Sequence, residues 1–274
     1  MDRNELDQAQ AGPDIHAVPG LVELLGSGDS HPERDAHSQA AAPDPTPWLT
    51  LRIAVEAHEA AMEYRKAFDN RARAWGESNV TAIARDSIHL HEGKLRLNAT
   101  HAYRQCVPTP IREWQAATPG LGEPGVARLL GHVGHPAWKW VHQWHGEGKC
   151  KNPDDPACDC PGRHLVLVDS SPRTFGQLIA YSGIVPGRGK RSKGMSVTEI
   201  GAFGNDHVGP VLHSLAEAAG VKIAGPFRAL YDEEKARYER DRPEWGPKPG
   251  HWHNAALRRV KREILRGLWT AAQQ

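Results

Sequence analysis

Two long amphipathic stretches constrain this chain more than anything else in it. Over 50–75, Ile53, Ala57, Ala60, Tyr64, Phe68, Ala72 and Trp75 recur at steps of three and four, the spacing of one helical face. Gly76 stops this helix, and Ser78 or Asn79 caps a second. There Val80, Ala84, Ile88, Leu95, Ala99, Ala102 and Cys106 repeat the pattern until Pro108 and Pro110 end it. Two long helices with a short joint fold back as an antiparallel hairpin. The spacing therefore predicts a mainly α fold. A long helical hairpin, or coiled arm, occupies 48–110, and a compact helical domain containing a helix-hairpin-helix occupies 111–274. The arm carries no chemistry and reads as a scaffold or a homo-oligomer contact through helices 50–107.

The compact domain opens on TPGLGEPGVARLLGHVG, Thr118–Gly134. Pro119 ends one helix, Gly120 and Gly122 permit a tight turn, and Pro124 suits the first turn of the next helix. Val126, Leu129, Leu130 and Val133 then fall at helical spacing, and Trp114 on the preceding helix is expected against Leu129 or Leu130. In a helix-hairpin-helix the backbone of Gly120, Leu121 and Gly122 would approach a DNA phosphate at a helix N-terminus, with Arg128 in support. A plain corner in a helical core is the alternative.

Charge is unevenly spread along the 274 residues. Residues 1–48 hold nine acids against Arg3 and Arg34, a net of −7, so the rest carries +8 of the total of +1. Residues 1–47 read as a disordered acidic tail, either solvated or covering a basic surface as a DNA mimic. Residues 171–274 hold seventeen Lys and Arg against ten acids. The last helix, 253–272, concentrates them. Ala256, Val260, Ile264, Leu268 and Trp269 turn inward, and Arg258, Arg259, Lys261, Arg262 and Arg266 form a basic stripe. Such a body fits a polyanion partner. No apolar run approaches the roughly 18 residues of a membrane span. The opening MDRNELDQ is no signal peptide, and the four cysteines make no disulfide scaffold. The expected location is cytoplasmic and nucleoid-associated.

Two further stretches carry candidate chemistry. Residues 137–171 look like an insertion, with Cys150, Cys158, Cys160 and His164 in a C-x7-C-x-C-x3-H pattern. Thiolates and an imidazole at that density can close a tetrahedral site for a structural zinc, or the cysteines are idle. Leu165–Val168 is a candidate short strand. Ser171 or Thr174 caps a short helix bearing Phe175, Leu178, Ile179 and Tyr181, and Gly183 ends it. GRGKRSKG follows, placing Arg188, Lys190, Arg191 and Lys193 around Ser192. Glycines with basic side chains make a phosphate-seeking loop, and positive charge stabilises an alkoxide or a phosphate oxyanion. A solvated surface loop explains the same composition. Gly204-Asn205 makes a turn before a helix from Val208, and a further charged helix covers 227–240.

In order, PGLG and a short helix, RTFGQLIAYSGIVP, a basic Gly-rich loop with Ser, FGN and a helix, and HNAALRRVKREILRGLW resemble one known family. It is the C-terminal transposase domain of the insertion-sequence one-ten family, also called one-sixteen or nine-oh-two. The resemblance covers roughly 111–274 and rests on motif order. It implies a mainly helical DNA-binding domain from a mobile element, DNA transposition or recombination, and a guide RNA among the partners. It also implies a serine nucleophile that forms a phosphoserine link to DNA, a role that falls on Ser192. Members of the family carry an N-terminal RuvC-like domain whose four acidic residues bind Mg²⁺. The tail here lacks the alternating strands and helices of such a sheet, so that half is expected to be absent. Phosphoryl transfer needs its metal or an equivalent charge clamp, so Mg²⁺ chemistry would require a RuvC-like partner. Three readings follow. The chain is a DNA-binding transposase-like protein without its acidic catalytic half, a zinc-stabilised protein-interaction module, or a serine strand-transferase whose metal site is supplied in trans.

Overall fold

The computed structural model describes residues 42–76, 78–145, 164–184, 204–245 and 250–274. The tail up to position 41, Cys150, Cys158, Cys160, Ser192, Arg188, Lys190, Arg191 and Lys193 lie outside the described residues.

The fold is mainly α, and the helical hairpin is its first feature. Helix α1 runs Thr46–Trp75 and α2 runs Asn79–Cys106. Helix α1 starts four residues before the expected point, because Pro47 fits the first turn, where its missing N–H costs nothing. Gly76 ends it at φ +86°. A capping box starts α2: the Ser78 side chain accepts from Thr81 N–H at 3.2 Å, and Ser78 N–H donates to Thr81 Oγ1 at 2.7 Å. Arg65 of α1 pairs with Glu92 of α2, and Asp69 faces Arg85 and His89, so the two helices run antiparallel.

The buried face of α1 shares Ala72 with the one the spacing suggested but otherwise differs from it. Trp48, Leu51, Val55, His58 and Ala72 are buried, whereas Ile53, Tyr64 and Trp75 are 60%, 61% and 74% exposed. Two phases fit a three-and-four pattern on this helix. The structure selects the row that meets α2 and the body, leaving Ile53, Ala57, Ala60 and Tyr64 facing outward.

Helices α3 (Thr109–Ala116) and α4 (Glu123–Val133) follow. Strand β1 (Trp138–His145) pairs antiparallel with β2 (His164–Pro172). Val141 opposes Asp169 and His142 opposes Leu167, so Val168 is a bulge. The short strand expected at 165–168 is thus one arm of a two-stranded ribbon. Helix α5 (Phe175–Tyr181) starts at a Thr174–Gln177 capping box. Helix α6 (Val208–Glu217) runs on into a π-helical turn, Ala218–Lys222, so Gly220 lies inside that turn. Helix α7 (Pro226–Asp241) and α8 (Gly250–Ala271) complete the chain. Among the described residues, no helix is long and apolar enough to cross a membrane.

The core is built around α4, which packs on the arm and on α6, while α6 in turn packs on α8. Leu51, Val55, Ile111, Leu129, Leu130, Leu212, Leu257, Ile264 and Leu268 are fully buried, each worth about 1.5–3 kcal/mol of transfer free energy. Gly131 lets α4 lie directly on α1, since a Cβ there would come within 2.8 Å of Val55. Trp114 packs on Gly267 of α8, where a Cβ would come within 2.5 Å of its ring. Sequence spacing pointed instead to Leu129 or Leu130.

Candidate functional site

The Pro-Gly hairpin is a real turn between α3 and α4, but much of it faces inward. Leu121 N–H donates to Thr118 O at 3.2 Å, and Gln115 Nε2 donates to Leu121 O at 2.5 Å. Tyr103 OH donates in turn to Gln115 Oε1 at 3.3 Å. Gly120 has φ +88°, and a Cβ on it would lie 2.5 Å from the Ala219 backbone. Glycine is therefore required there by both conformation and space. Leu121 is only 2% exposed. Gly122 is exposed and forms the N-cap of α4. The first turn of α4 already holds a carboxylate, Glu123, which Arg104 bonds at 2.6 and 2.9 Å. Arg128 lies on the other side of α4, bonded to Glu59 of α1 through Nε at 3.0 Å and Nη2 at 2.8 Å.

That ion pair belongs to a second constellation, in a cleft of about 600 Å³ whose lining includes Glu56, Glu59, Glu63, Lys66, Arg128, His132, Asp206 and His207. His132 Nε2 lies 2.8 Å from Glu59 Oε2, and His207 Nδ1 lies 3.8 Å from the same oxygen. The two imidazoles stack at 4.8 Å, 18° from parallel. Among the described residues, Glu59, His132 and His207 form a group that could hold a metal ion, with ligand atoms all within 4.8 Å of one another. Burial alone would raise the Glu59 carboxyl. Hydrogen bonds from His132 and Arg128, and their charges, outweigh burial and bring it down to about 2.

Neighbouring polar groups fix where the two histidines sit. Tyr181 OH donates to the His132 carbonyl at 2.9 Å and accepts from Asn205 Nδ2 at 2.8 Å. Asn205 Oδ1 accepts from the His207 N–H at 2.9 Å, and Asn205 N–H donates to Tyr181 O at 2.7 Å. Gly204, at φ +86°, makes this turn possible, since a Cβ would meet Tyr181 O at 2.5 Å. None of the three ligand candidates stands out in the sequence, because they come from three helices or their flanks with no shared spacing. One signal was available: His132 is a polar residue on the otherwise apolar buried face of α4.

The third constellation is basic and aromatic. Arg258, Arg262 and Arg266 are exposed along one side of α8. Lys261 is half buried, its pKa lowered by burial and then by Arg258. Arg259 is engaged by Glu263 at 3.1 Å and Glu234 at 3.7 Å. Arg266 Nε also lies 3.3 Å from Glu263, so the stripe expected on this helix narrows to three exposed arginines, one of which shares its carboxylate with Arg259. Arg266 lies 4.7 Å and Arg262 6.0 Å from the Phe175 ring centroid. Phe175 in turn leans on Trp269, at 5.9 Å. Trp269 Nε1 donates to the Arg173 carbonyl at 2.9 Å, which locks α5 onto α8.

Of the other expected site residues, only the backbone of His164 is described, as the first residue of β2. No model of a known protein family matches this chain, and no curated protein matches it.

Proposed function

We propose that this chain binds DNA through its phosphates, as a transposase-like protein of a mobile element. The observation that carries the reading is the row of Arg258, Arg262 and Arg266, one per turn of α8, bordered by the Phe175 ring. At about 1.5 Å per residue the row spans about 12 Å. One DNA strand presents a phosphate about every 3.4 Å along the helix axis, so several lie within reach of such a row. Guanidinium groups suit this task because their planar forks bond phosphate oxygens in pairs. Of the hairpin, Gly122 remains an outward-facing candidate for a backbone contact.

The test is the salt dependence of binding to duplex and branched DNA. Log K should fall linearly with log salt concentration, and replacing the three arginines by Gln should reduce the slope by about one per arginine lost. Binding that ignores salt, or that survives the triple substitution unchanged, would remove the proposal. The family resemblance supports a further role for Ser192 as nucleophile, with its metal supplied by a second chain. A covalent protein–DNA adduct on a suicide substrate, lost in Ser192→Ala, checks that role.

The interaction-module reading draws on the Cys150, Cys158, Cys160 and His164 pattern and on the outward apolar row of α1. Loss of bound zinc on replacing Cys150, Cys158 and Cys160 by Ser tests the first. Sedimentation of Tyr64→Glu against the unchanged chain tests self-association through the second.

A further inference from the structure

We propose that Glu59, His132 and His207 form a binding site for a first-row transition-metal ion of the Zn²⁺ type. The donor set decides the class of ion. Two imidazoles and one carboxylate suit zinc and its neighbours, whereas Mg²⁺ takes oxygen ligands in a near-ideal octahedron. Ligand bonds of about 2.0–2.2 Å in a tetrahedron require donor atoms about 3.3–3.5 Å apart. The structure has 2.8 Å and 3.8 Å for the two contacts to Glu59, and no pair exceeds 4.8 Å. Glu59 and His132 must part slightly and His207 must swing in. His207 is exposed, with freedom to do so, while His132 is buried.

The second observation is the framework behind the ligands. A hydrogen-bonded chain runs from the His132 carbonyl through Tyr181 OH and the Asn205 side chain to the His207 N–H. It couples two ligands that are far apart in sequence through groups that are not themselves ligands. Arg128 occupies the other oxygen of Glu59, leaving Oε2 directed at both imidazoles. Arg128 is thus an outer-shell partner that orients the Glu59 carboxylate, while the Tyr181–Asn205 chain fixes the backbone that carries the two imidazoles. Three protein ligands would leave a fourth position for water or a further ligand.

Zinc titration by calorimetry tests this in the full chain with Cys150, Cys158 and Cys160 replaced by Ser, which removes competing thiolates. One equivalent should bind and should raise the melting temperature. His207→Ala, at an exposed position, should change the zinc-free melting temperature only slightly, through loss of its stacking on His132, and weaken binding by at least about 100-fold. Asn205→Ala should weaken binding by freeing the backbone that carries His207. In the chain with its cysteines intact, His207→Ala should lower the bound zinc by one equivalent. No binding to the Ser-substituted chain, or equal binding by its His207→Ala variant, overturns the site. Unchanged affinity in Asn205→Ala overturns the positioning role of the hydrogen-bonded chain.

Discussion

His135 sits between two indoles, 5.1 Å from the Trp48 ring and 6.3 Å from that of Trp140. Its Nδ1 accepts the Ala137 N–H at 3.1 Å, so this nitrogen must be unprotonated. Burial, and then Arg173, lower its pKa from 6.5 to about 4. The unfolded state therefore binds more protons between these values. The stabilisation from keeping the ring neutral is complete above about 6.5 and declines as pH falls towards 4, by up to about 3 kcal/mol. Denaturation followed by tryptophan fluorescence should show this loss, and His135→Phe should flatten it. Glu59 acts lower on the scale. Its folded pKa of about 2 lies below the ordinary 4.5, so its contribution is complete above 4.5 and is lost as pH falls towards 2. Glu59→Gln should remove this lower limb and leave the upper one, and an unchanged lower limb would contradict the assignment. Neither behaviour was legible in the sequence, because each depends on partners from other elements.

At the level of elements, the ends of helices were the most readable part. Gly76, Ser78, Pro108, Thr174 and Gly183 mark boundaries through local backbone chemistry, which needs no knowledge of the rest of the fold. The packed face of α1 was harder to read. Alanines fill several phases of that helix, so Ile53 and Tyr64 appeared as well placed as Leu51 and Val55, until α4 was brought against one side. The approach at Gly131 was invisible for the same reason. Replacing Gly131 by Val should force α4 away from Val55 and cost about 1–3 kcal/mol, as overpacking does. Chemical denaturation measures this, and an effect below a few tenths of a kcal/mol would mean that the helices part easily. Ser78→Ala should cost about 1 kcal/mol by removing the α2 cap.

For the whole molecule, the distribution of charge matters more than its sum. The total is +1, yet the acidic 1–48 region offsets a body of +8. A chain lacking residues 1–41 should bind DNA more tightly at low salt. The difference should shrink as salt rises and the Debye length falls to a few ångströms. Equal affinity at every salt concentration would show that the tail does not compete. The candidate metal cluster also belongs to this scale. Glu59 and His207 are separated by most of the described chain, and only assembly of α1, α4 and the α6 turn unites them with His132. Pattern reading finds ligands at short intervals, and for that reason it found the cysteine cluster and missed this one.

The turn at Gly204 has a consequence for how the chain tolerates change. Asn205 N–H reaches Tyr181 O at 2.7 Å, so residue 205 lies beside the end of α5. His145 likewise faces His164 across the ribbon. Each intervening segment, 146–163 and 185–203, leaves and rejoins the scaffold at nearly one point. Doubling the length of a flexible loop with fixed ends costs only about 0.6 kcal/mol. A replacement of either segment therefore needs only to join two neighbouring ends. Exchanging 186–202 for a short Gly-Ser turn should leave the melting temperature within a few degrees of the parent, while removing Ser192 and its basic neighbours. Three cysteines, the serine and the densest basic cluster all lie in these two segments.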